Sequence, residues 1–355
     1  MSGSYATSTT HKGESTYNRC FHFHERKVNE IIAKQYGIDA KNVVLTTSGI
    51  ESLSFLLENI MIKYGFQKIN VFYSNELYCD TPRLIKYYSQ IYGSFSYYEF
   101  DVDDTKGFEE MLVSKYKNDI NLVIMESCSN PTGKIFDFEK IEEIKKQTKN
   151  TQFIVDNTWL THVCFNPFNY GADYVFSSTS KYYSGGTCIG GVIIGKDNKF
   201  MGNVTNFKRI SGKHISLPYC EILLKNLPLM EKRITETFQK TLHFAEFLKS
   251  QSKVNIVHYP LLQGTPSFER ANKYFGICGP SVLSFEINIP KDNAIKWMKS
   301  FRNVSYKTSF GSYETKFDTW PKDLRRTSTR CRIAIGYDSD IEAVKREFIE
   351  KLQKI

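Results

Sequence analysis

Short apolar runs and amphipathic segments alternate along the chain from about residue 40 onward. Seven runs rich in β-branched and aromatic residues predict strands, and four of the segments between them have helical spacing of their apolar residues. The helical spacing is clearest directly after the first strand, at Ile50, Leu53, Leu56, Leu57, Ile60 and Met61. The predicted strands are 43–47, 69–74, 94–100, 121–127, 152–157, 173–178 and 188–195.

This alternation predicts a mainly parallel sheet that helices cover on both faces. The helices are expected at 50–64, 82–92, 108–116 and 137–147, and Asp137 is expected to cap the last of them. In sheets of this kind ligands bind at the carboxyl ends of the strands. The functional residues are therefore expected at those ends.

The pattern changes near residue 220. A long, largely amphipathic helical stretch covers 220–251, and the strand candidates after it are more widely spaced, at 254–260, 281–288 and 331–338. These features predict a smaller α+β domain with a partly antiparallel sheet. We therefore divide the chain into an N-terminal arm, a large domain and a small domain, at 1–42, 43–215 and 216–355.

Composition narrows the class of protein. The chain has 355 residues, a formal net charge of +9 and 41% hydrophobic residues, which excludes wholesale disorder. No stretch approaches the roughly 20 apolar residues of a membrane helix, and the polar N-terminus lacks the apolar core of a secretory signal. There is no compact Lys/Arg patch with interleaved aromatic residues. We therefore expect neither nucleic acid nor a membrane as partner.

The eight cysteines are spread along the chain, and none forms a CxxC pair. In a chain of this length without a secretory signal they are expected to be free thiols in a reducing cytoplasm. Cys20, His22 and His24 alternate, so on a strand they would share one face. Zinc needs a fourth ligand or an open catalytic position, and we expect no metal centre.

Polar residues and glycines follow several predicted strands. Ser48, Gly49 and Ile50 open the first helix, where backbone amides can approach a phosphate. Tyr78 follows the second strand and could stack on a flat ring. Asn130 follows the fourth strand and could donate a hydrogen bond to a ligand oxygen. Each feature alone is also typical of an ordinary turn, so only the combination is informative.

Asp156 and Lys181 follow in order at the ends of the fifth and sixth strands. A buried Asp is unfavourable unless it is paired, and a protonated pyridine nitrogen would pair it well. A lysine can form a Schiff base with an aldehyde, and the hydroxyls of Ser178 and Ser180 could bind a phosphate. This order suits a cofactor with an aldehyde, a basic ring nitrogen and a phosphate arm, which is the shape of pyridoxal phosphate.

The segment VDNTWLTHVCFNPFNYGADYVFSSTSKYYSGG closely resembles the signature of the Cys/Met-metabolism family of pyridoxal-phosphate enzymes. That family includes cystathionine synthases and lyases, methionine γ-lyase and homocysteine-forming sulfhydrylases. The resemblance runs from about residue 15 to the C-terminus. It implies the aspartate-aminotransferase-like fold-type I, with a seven-stranded sheet. It also implies that Lys181, the Schiff-base lysine, and Tyr78 are catalytic, and that the cofactor is bound by Ser48, Gly49, Ile50, Tyr78, Asn130, Asp156, Thr158, Ser178, Ser180 and Lys181.

Two residues near the N-terminus match a motif that acts between subunits. Tyr17 and Arg19 resemble the family's YxR pair, which reaches the cofactor phosphate of the neighbouring subunit. The resemblance therefore implies a homodimer or homotetramer with shared active sites. In that assembly, residues 1–42 would be the arm that contacts the neighbouring subunit.

The substrate side of the site is also implied by the resemblance. Ser309 and Arg332 match residues that bind the substrate together with Asn130, and a guanidinium fork suits a carboxylate. Cys79, beside the stacking tyrosine, is either a contact for the distal end of the substrate or a small apolar filler. Thr308 stands where enzymes that handle the distal amine of cystathionine often carry a glutamate. This departure indicates a specialised member of the family.

The implied reaction is β/γ-elimination or γ-replacement on a sulfur-containing or O-activated amino acid. Cystathionine, methionine and homoserine esters are the types of substrate expected. The same fold and cofactor carry other reactions in relatives. Aminotransfer, or the use of another γ-leaving-group substrate such as S-adenosylmethionine, therefore stays as an alternative.

Overall fold

The computed structural model describes residues 22–276, 278–319 and 327–354. Seven strands form the larger of its two sheets: β1 Val43–Thr46, β2 Ile69–Ser74, β3 Phe95–Phe100, β4 Ile120–Glu126, β5 Asn150–Asp156, β6 Tyr174–Ser178 and β7 Gly191–Gly195. Their order across the sheet is β1-β7-β6-β5-β4-β2-β3. Five neighbouring strands, β3, β2, β4, β5 and β6, are parallel. Strand β7 runs antiparallel to both of its neighbours, β6 and β1. The predicted mainly parallel sheet is confirmed.

The central strands are apolar along their whole length because both faces of the sheet are covered. Every residue of β2 is buried, as is nearly every residue of β4. A parallel sheet between two helical layers requires such continuous apolar strands. The edge strand β3 is buried only at its two ends, and its four middle residues alternate between half-buried and exposed.

Seven helices accompany these strands: α1 Phe23–Tyr36, α2 Gly49–Lys63, α3 Asp80–Tyr92, α4 Thr105–Tyr116, α5 Lys140–Gln147, α6 Thr161–Cys164 and α7 Asn198–Ile210. The hydroxyl of Ser48 caps α2 by accepting a hydrogen bond from the Glu51 N–H at 3.1 Å. The predicted cap at Asp137 is wrong, because α5 begins only at Lys140. The Asp137 carboxylate instead accepts a hydrogen bond from the hydroxyl of Tyr274.

Helix α1 lies in a segment for which the sequence indicated no element. Nδ1 of His22 accepts a hydrogen bond from the Glu25 N–H at 3.2 Å and caps the helix. The alternation of His22 and His24 therefore does not describe a strand. The buried side chains of Val28 and Ile32 pack into the core of the same chain. Contact between the 1–42 arm and a neighbouring subunit stays a prediction.

The second half of the chain builds a smaller α+β unit. It contains α8 Leu217–Lys249, β8 Val254–His258, α9 Phe268–Tyr274, β9 Val282–Ile287, α10 Lys291–Lys299, β10 Ser305–Tyr306, β11 Lys316–Thr319, β12 Thr329–Ala334 and α11 Ile341–Leu352. The sheet order is β10-β11-β12-β9-β8, and only β10 and β11 pair in parallel. The predicted partly antiparallel sheet is confirmed, although β10 and β11 were not predicted. Across the described ranges, no helix is long and apolar enough to cross a membrane.

A disulfide joins Cys164 to Cys278, which corrects the expectation that the cysteines are free thiols. The Gly276 N–H also donates to the carbonyl of Cys164 at 3.2 Å, beside the bridge. The bridge ties the end of α6 to the segment between α9 and β9 of the smaller unit. Sequence spacing could not reveal it, because the two cysteines are 114 positions apart. Cys128, Cys188 and Cys220 are free thiols.

Candidate active site

A cavity of about 870 Å³ lies between the carboxyl ends of the large sheet and the small sheet. It has the volume of a typical small-molecule site. Tyr17 and Arg19 lie outside the described residues, so their predicted role stays a prediction. Every other residue predicted for the cofactor or substrate site lines the cavity: Ser48, Gly49, Ile50, Tyr78, Cys79, Asn130, Asp156, Thr158, Ser178, Ser180, Lys181, Ser309 and Arg332.

One wall of the cavity is the N-terminus of α2 packed against the end of β6. A Cβ on Gly49 would lie only 2.7 Å from the Cβ of Ser178, so no larger residue fits there. This contact places the first amides of α2, at Gly49 and Ile50, beside the hydroxyl of Ser178. Amides at a helix N-terminus have no partner within the helix, and together with hydroxyls they form a favourable site for an anion.

Ser180 holds the neighbouring loop together. Its hydroxyl donates to the Gly190 carbonyl at 3.2 Å and accepts from the Gly190 N–H at 2.9 Å. These bonds connect the loop that carries Lys181 to the segment that enters β7. Ser180 lines the cavity, as predicted, but a contact with a phosphate would have to share its hydroxyl with this loop contact.

Asp156 presents a buried carboxylate at the end of β5. Its Oδ1 accepts the Thr158 N–H at 2.9 Å and the hydroxyl of the same residue. Burial raises the pKa of Asp156 to about 6, against the opposing effect of these two bonds and of the Lys181 charge. A carboxylate in this position gains stability from a cation placed in the cavity.

Glu126 is a buried acid that the sequence did not single out. It lies beside Asp156 in the register of β4 and β5. Its two carboxylate oxygens accept the Tyr78 N–H at 2.6 Å and the Asn130 N–H at 2.9 Å. Burial and the nearby Asp156 raise the pKa of Glu126 well above its usual value. Glu126 thus fixes the backbones of two cavity residues, and its position at a strand end was the available signal.

Lys181 reaches into the cavity from the loop after β6. Its Nζ donates to Oγ of Ser309 at 2.6 Å. Burial and the charges of Arg332 and Lys316 together lower the pKa of Lys181 to about 8. A substantial fraction of this amine is therefore neutral near pH 8, as a nucleophile or a base requires.

The turn that carries Ser309 is unusual. Ser309 has a φ of 83°, in the left-handed region that non-glycine residues rarely adopt. Gly311 follows it with a φ of 73°, and a Cβ there would lie 2.9 Å from the carbonyl carbon of Lys181. The turn packs directly against the lysine and directs the Ser309 hydroxyl at its amine. Backbone strain of this kind is concentrated at functional sites.

Tyr78 and Cys79 form the outer part of the wall. Tyr78 is half-exposed at the mouth of the cavity. Burial and the neighbouring Asp80 raise the pKa of Tyr78 to about 12, so its hydroxyl is protonated at neutral pH. Cys79 lines the cavity just before α3. A contact between Cys79 and the substrate stays a prediction.

Arg332 lies on β12 opposite Asp318 on β11. Its Nε and Nη2 donate to the two carboxylate oxygens of Asp318 at 3.0 Å and 2.5 Å. Its Nη1 donates to Oδ1 of Asn130 at 3.3 Å. The guanidinium is thus held in one orientation from both sides of the cavity. An acidic partner of Arg332 was not expected from the sequence.

Lys316 is a second cavity residue that the sequence analysis missed. It lies two positions before Asp318 on β11, and both residues line the cavity. The other two residues of this strand, Phe317 and Thr319, are buried on the opposite face. The alternation of polar and apolar residues in Lys316–Thr319 was the available signal, but four residues were too few to predict a strand.

The described residues fit pyridoxal phosphate. The tight Gly49–Ser178 contact forms an anion cradle, the buried Asp156 lacks a cationic partner in direct contact, and the Lys181 amine has a depressed pKa. These three features correspond to the phosphate, the ring nitrogen and the aldehyde of the cofactor. They lie around a single cavity, as the sequence predicted.

Comparisons with known proteins agree with this fit. The model of the family described as "Cys/Met metabolism PLP-dependent enzyme" matches residues 2–337. Cystathionine beta-lyase of Schizosaccharomyces pombe is 30% identical over 60% of this chain, which spans 52% of that enzyme. O-succinylhomoserine sulfhydrylase of Pseudomonas aeruginosa is 28% identical over 95% of this chain and 83% of its own length.

Solved structures show the same fold. The cystathionine gamma synthase of Xanthomonas oryzae pv. oryzae superposes with a TM-score of 0.83, covering 98% of this chain and 90% of its own. Its sequence is only 20% identical, so this likeness concerns the fold alone. The predicted fold-type I architecture is confirmed.

Proposed function

Because this chain belongs to the Cys/Met-metabolism family of pyridoxal-phosphate-dependent enzymes, we propose that it catalyses elimination or replacement at the β- or γ-carbon of an amino acid. The cofactor of the family is pyridoxal phosphate, as predicted. The observation that carries the proposal is the convergence of Lys181, Asp156 and Arg332 on one cavity. Elimination needs a base, an anchored cofactor and a fixed substrate carboxylate, and these residues supply them.

The cofactor, when bound, supplies an electron-withdrawing ring that accepts the electron pair released at the substrate Cα. Asp156 would hold the protonated ring nitrogen, and the cradle at Gly49, Ile50 and Ser178 would hold the phosphate. Tyr78, at the cavity mouth, would cover one face of the ring.

Lys181 is the proposed proton carrier. Its amine has a pKa of about 8, so it can take a proton from the substrate Cα and return one at another carbon. Ser309 accepts a hydrogen bond from this amine at 2.6 Å and would hold it in position between these transfers. An amine transfers protons to and from substrate carbons efficiently only when it is held close to them in a fixed geometry.

Arg332 is the proposed site of the substrate α-carboxylate. Asp318 and Asn130 orient its guanidinium, and the group still presents N–H donors to a ligand. A carboxylate held there has a fixed direction relative to Lys181, which favours removal of one particular proton.

We extend the proposal to assembly and location. A homodimer or homotetramer would let Tyr17 and Arg19 of one copy complete the cofactor site of another. A cytoplasmic location fits the metabolic family, but the Cys164–Cys278 disulfide is unusual in a reducing compartment. Titration of thiols in protein purified under anaerobic conditions tests this point, and the molar mass in solution tests the assembly.

The central experiment is an amino-acid panel offered to the cofactor-loaded protein. Visible absorbance and 2-oxo acid release are followed together for cystathionine, methionine, cysteine, acylated homoserines and S-adenosylmethionine. Pyruvate or 2-oxobutyrate supports elimination, and a new thioether formed with an added thiol supports replacement. Amino transfer to an added 2-oxo acid would support the alternative reaction. A protein that shows no cofactor absorbance contradicts the proposal.

A further inference from the structure

The charged residues that line the cavity differ in how far their charges are balanced. Two cations have close acidic partners, since Arg83 contacts Asp80 at 2.9 Å and Arg332 is bound by Asp318. In the proposed function, Lys181 forms the bond to the cofactor. The cavity-lining charged residues are Arg83, Glu126, Asp156, Lys181, Lys316, Asp318 and Arg332.

Compared with Arg83 and Arg332, Lys316 has the weakest contact with an acidic side chain. Among the residues that the structure describes, its one acidic partner is Glu314, whose Oε1 lies 3.7 Å from the lysine Nζ, beyond hydrogen-bond length. Glu314 already accepts hydrogen bonds from Ser305 at 2.8 Å and Lys307 at 3.2 Å. The Lys316 side chain is 12% exposed, so water screens its charge poorly.

The position of Lys316 places this charge away from the α-carboxylate site. Lys316 and Asp318 face the cavity from alternate positions of β11, which separates them by about 6.6 Å along the strand. Asp318 lies opposite Arg332 in the register. This spacing is comparable to the span from the α-carboxylate of an amino acid to a substituent on its γ-carbon. The lysine therefore lies where the distal end of a substrate would reach.

The charge at this end also excludes one type of substrate. Thr308, a further cavity residue, carries no charge. The acids nearest to Lys316 already accept hydrogen bonds, Glu314 from Ser305 and Lys307, and Asp318 from Arg332. A distal ammonium group would therefore meet the Lys316 charge, and like charges in a partly buried site repel. An anionic group would instead form a charge-assisted hydrogen bond.

We propose that Lys316 is the subsite for an anionic group at the distal end of the substrate side chain. The preferred substrates are then amino acids whose γ-substituent bears an anion, such as homoserine esters of a dicarboxylic acid. This inference rests on the proposed function for the reaction, but the charge preference of the cavity can be measured separately.

Binding is tested with three six-carbon amino acids that differ only at the distal end and lack a leaving group. L-2-aminoadipate ends in a carboxylate, L-norleucine in a methyl group and L-lysine in an ammonium group. Their dissociation constants are measured on the cofactor-loaded protein by calorimetry and by the change in visible absorbance. The expected order of affinity is aminoadipate, norleucine, lysine, with about 10- to 100-fold between the first two.

The Lys316→Gln variant keeps the length and polarity of the side chain but removes the charge. It should bind aminoadipate and norleucine within about threefold of each other, and Lys316→Arg should restore the preference. Lys307→Gln is the matched control, because it also removes a lysine that contacts Glu314 but does not line the cavity. It should leave the preference unchanged. Equal affinities in the wild type, or an unchanged preference in Lys316→Gln, would overturn the proposal.

Turnover separates this inference from the proposed reaction. O-succinyl-L-homoserine carries an anionic acyl group and O-acetyl-L-homoserine a neutral one. We expect kcat/KM to favour the succinyl ester, and Lys316→Gln to reduce that preference about 10- to 100-fold. Charge-selective binding without turnover of any amino acid contradicts the reaction and leaves the subsite standing. Turnover with no charge preference contradicts the subsite and leaves the reaction standing.

Discussion

The two walls of the cavity are built in different ways. The wall on the large sheet consists of strand ends and the loops after them, where Gly49, Asp156 and Lys181 lie. The wall on the small sheet consists of one face of two antiparallel strands, where Lys316, Asp318 and Arg332 lie. In the proposed function, the first wall would hold the cofactor and the second would hold the substrate.

The two walls differ in how well they tolerate amino-acid substitutions. On the large sheet the helix start and the strand end are in van der Waals contact, so Gly49 cannot gain a side chain. On the small sheet the functional groups are side chains of a regular strand, and Phe317 anchors the opposite face in the core. A substitution at Lys316 changes the charge of the cavity without changing a turn. Substrate preference can therefore vary while cofactor binding is kept.

The largest effect is expected from Lys181→Ala on the cofactor wall. Loss of the amine removes both the attachment point of the cofactor and the proton carrier, so kcat should fall at least about 1,000-fold. Turnover and visible absorbance are measured together. The exposed Lys199 on α7 supplies the control substitution, Lys199→Ala. A Lys181→Ala enzyme that retained a tenth of the activity would break the assignment of this wall.

Asp156→Asn should reduce kcat at least about a hundredfold, because asparagine offers no negative charge to a protonated ring nitrogen. The cofactor-free protein provides a second readout. Burial raises the pKa of Asp156 to about 6 in the folded protein, so the folded state binds this proton more tightly than the unfolded state does. The resulting stabilisation is fully present below pH 4 and is lost as the pH rises through 6.

Through this group alone, the free energy of unfolding of the cofactor-free protein should fall by on the order of 3 kcal/mol between pH 4 and pH 7. Denaturant unfolding at both pH values measures it. Asp156→Asn should show a smaller decrease, because the substitution removes this carboxyl and also the Asp156 charge that helps to raise the pKa of Glu126. Identical pH dependence in the two proteins would contradict the buried, uncompensated state of Asp156.

Arg332→Lys tests the substrate wall. Lysine keeps the charge but cannot make the two-point contact of a guanidinium, so kcat/KM should fall about 10- to 100-fold, mainly through KM. Cofactor absorbance should not change, which separates the two walls. Arg330→Lys is a matched control on the same strand, because Arg330 binds Glu286 and does not line the cavity. Equal losses of kcat/KM in both variants would mean that the effect comes from disturbing the strand and not from losing the contact of Arg332 with the substrate.

The smallest effect on turnover is expected from the double variant Cys164→Ser/Cys278→Ser. The bridge lies outside the cavity, so kcat/KM should stay within about threefold of the wild type. Stability should fall by about 2–4 kcal/mol, because a long loop loses its constraint in the unfolded chain. A reducing agent should lower the melting temperature of the wild type and leave the variant unchanged. A wild type insensitive to reduction would contradict the bridge.

The cofactor wall could be predicted residue by residue because its signals are local. Ser48, Gly49, Asp156 and Lys181 each follow a recognisable strand, and parallel strands bring their carboxyl ends to one edge. Glu126 also lies at such an end, but an acid on a buried strand was not distinguished from its neighbours. The family signature around Lys181 then defined the cofactor before any contact was known.

The substrate wall was predicted only in part. Arg332 was found by resemblance, whereas Lys316 and Asp318 lie on a strand of four residues, too short for a periodic pattern to identify. The Cys164–Cys278 bridge was missed for a related reason, since spacing along a chain does not say which cysteines meet.

The sequence by itself determined the order of the seven large-sheet strands along the chain, and with it the set of residues at their ends. Local propensity and apolar periodicity encode these features within short windows. Only the tertiary structure decided that Arg332 lies between Asp318 and Asn130, and that Lys181 meets Ser309. Those contacts depend on how two sheets pack against each other, which is a property of the whole core and not of any one segment.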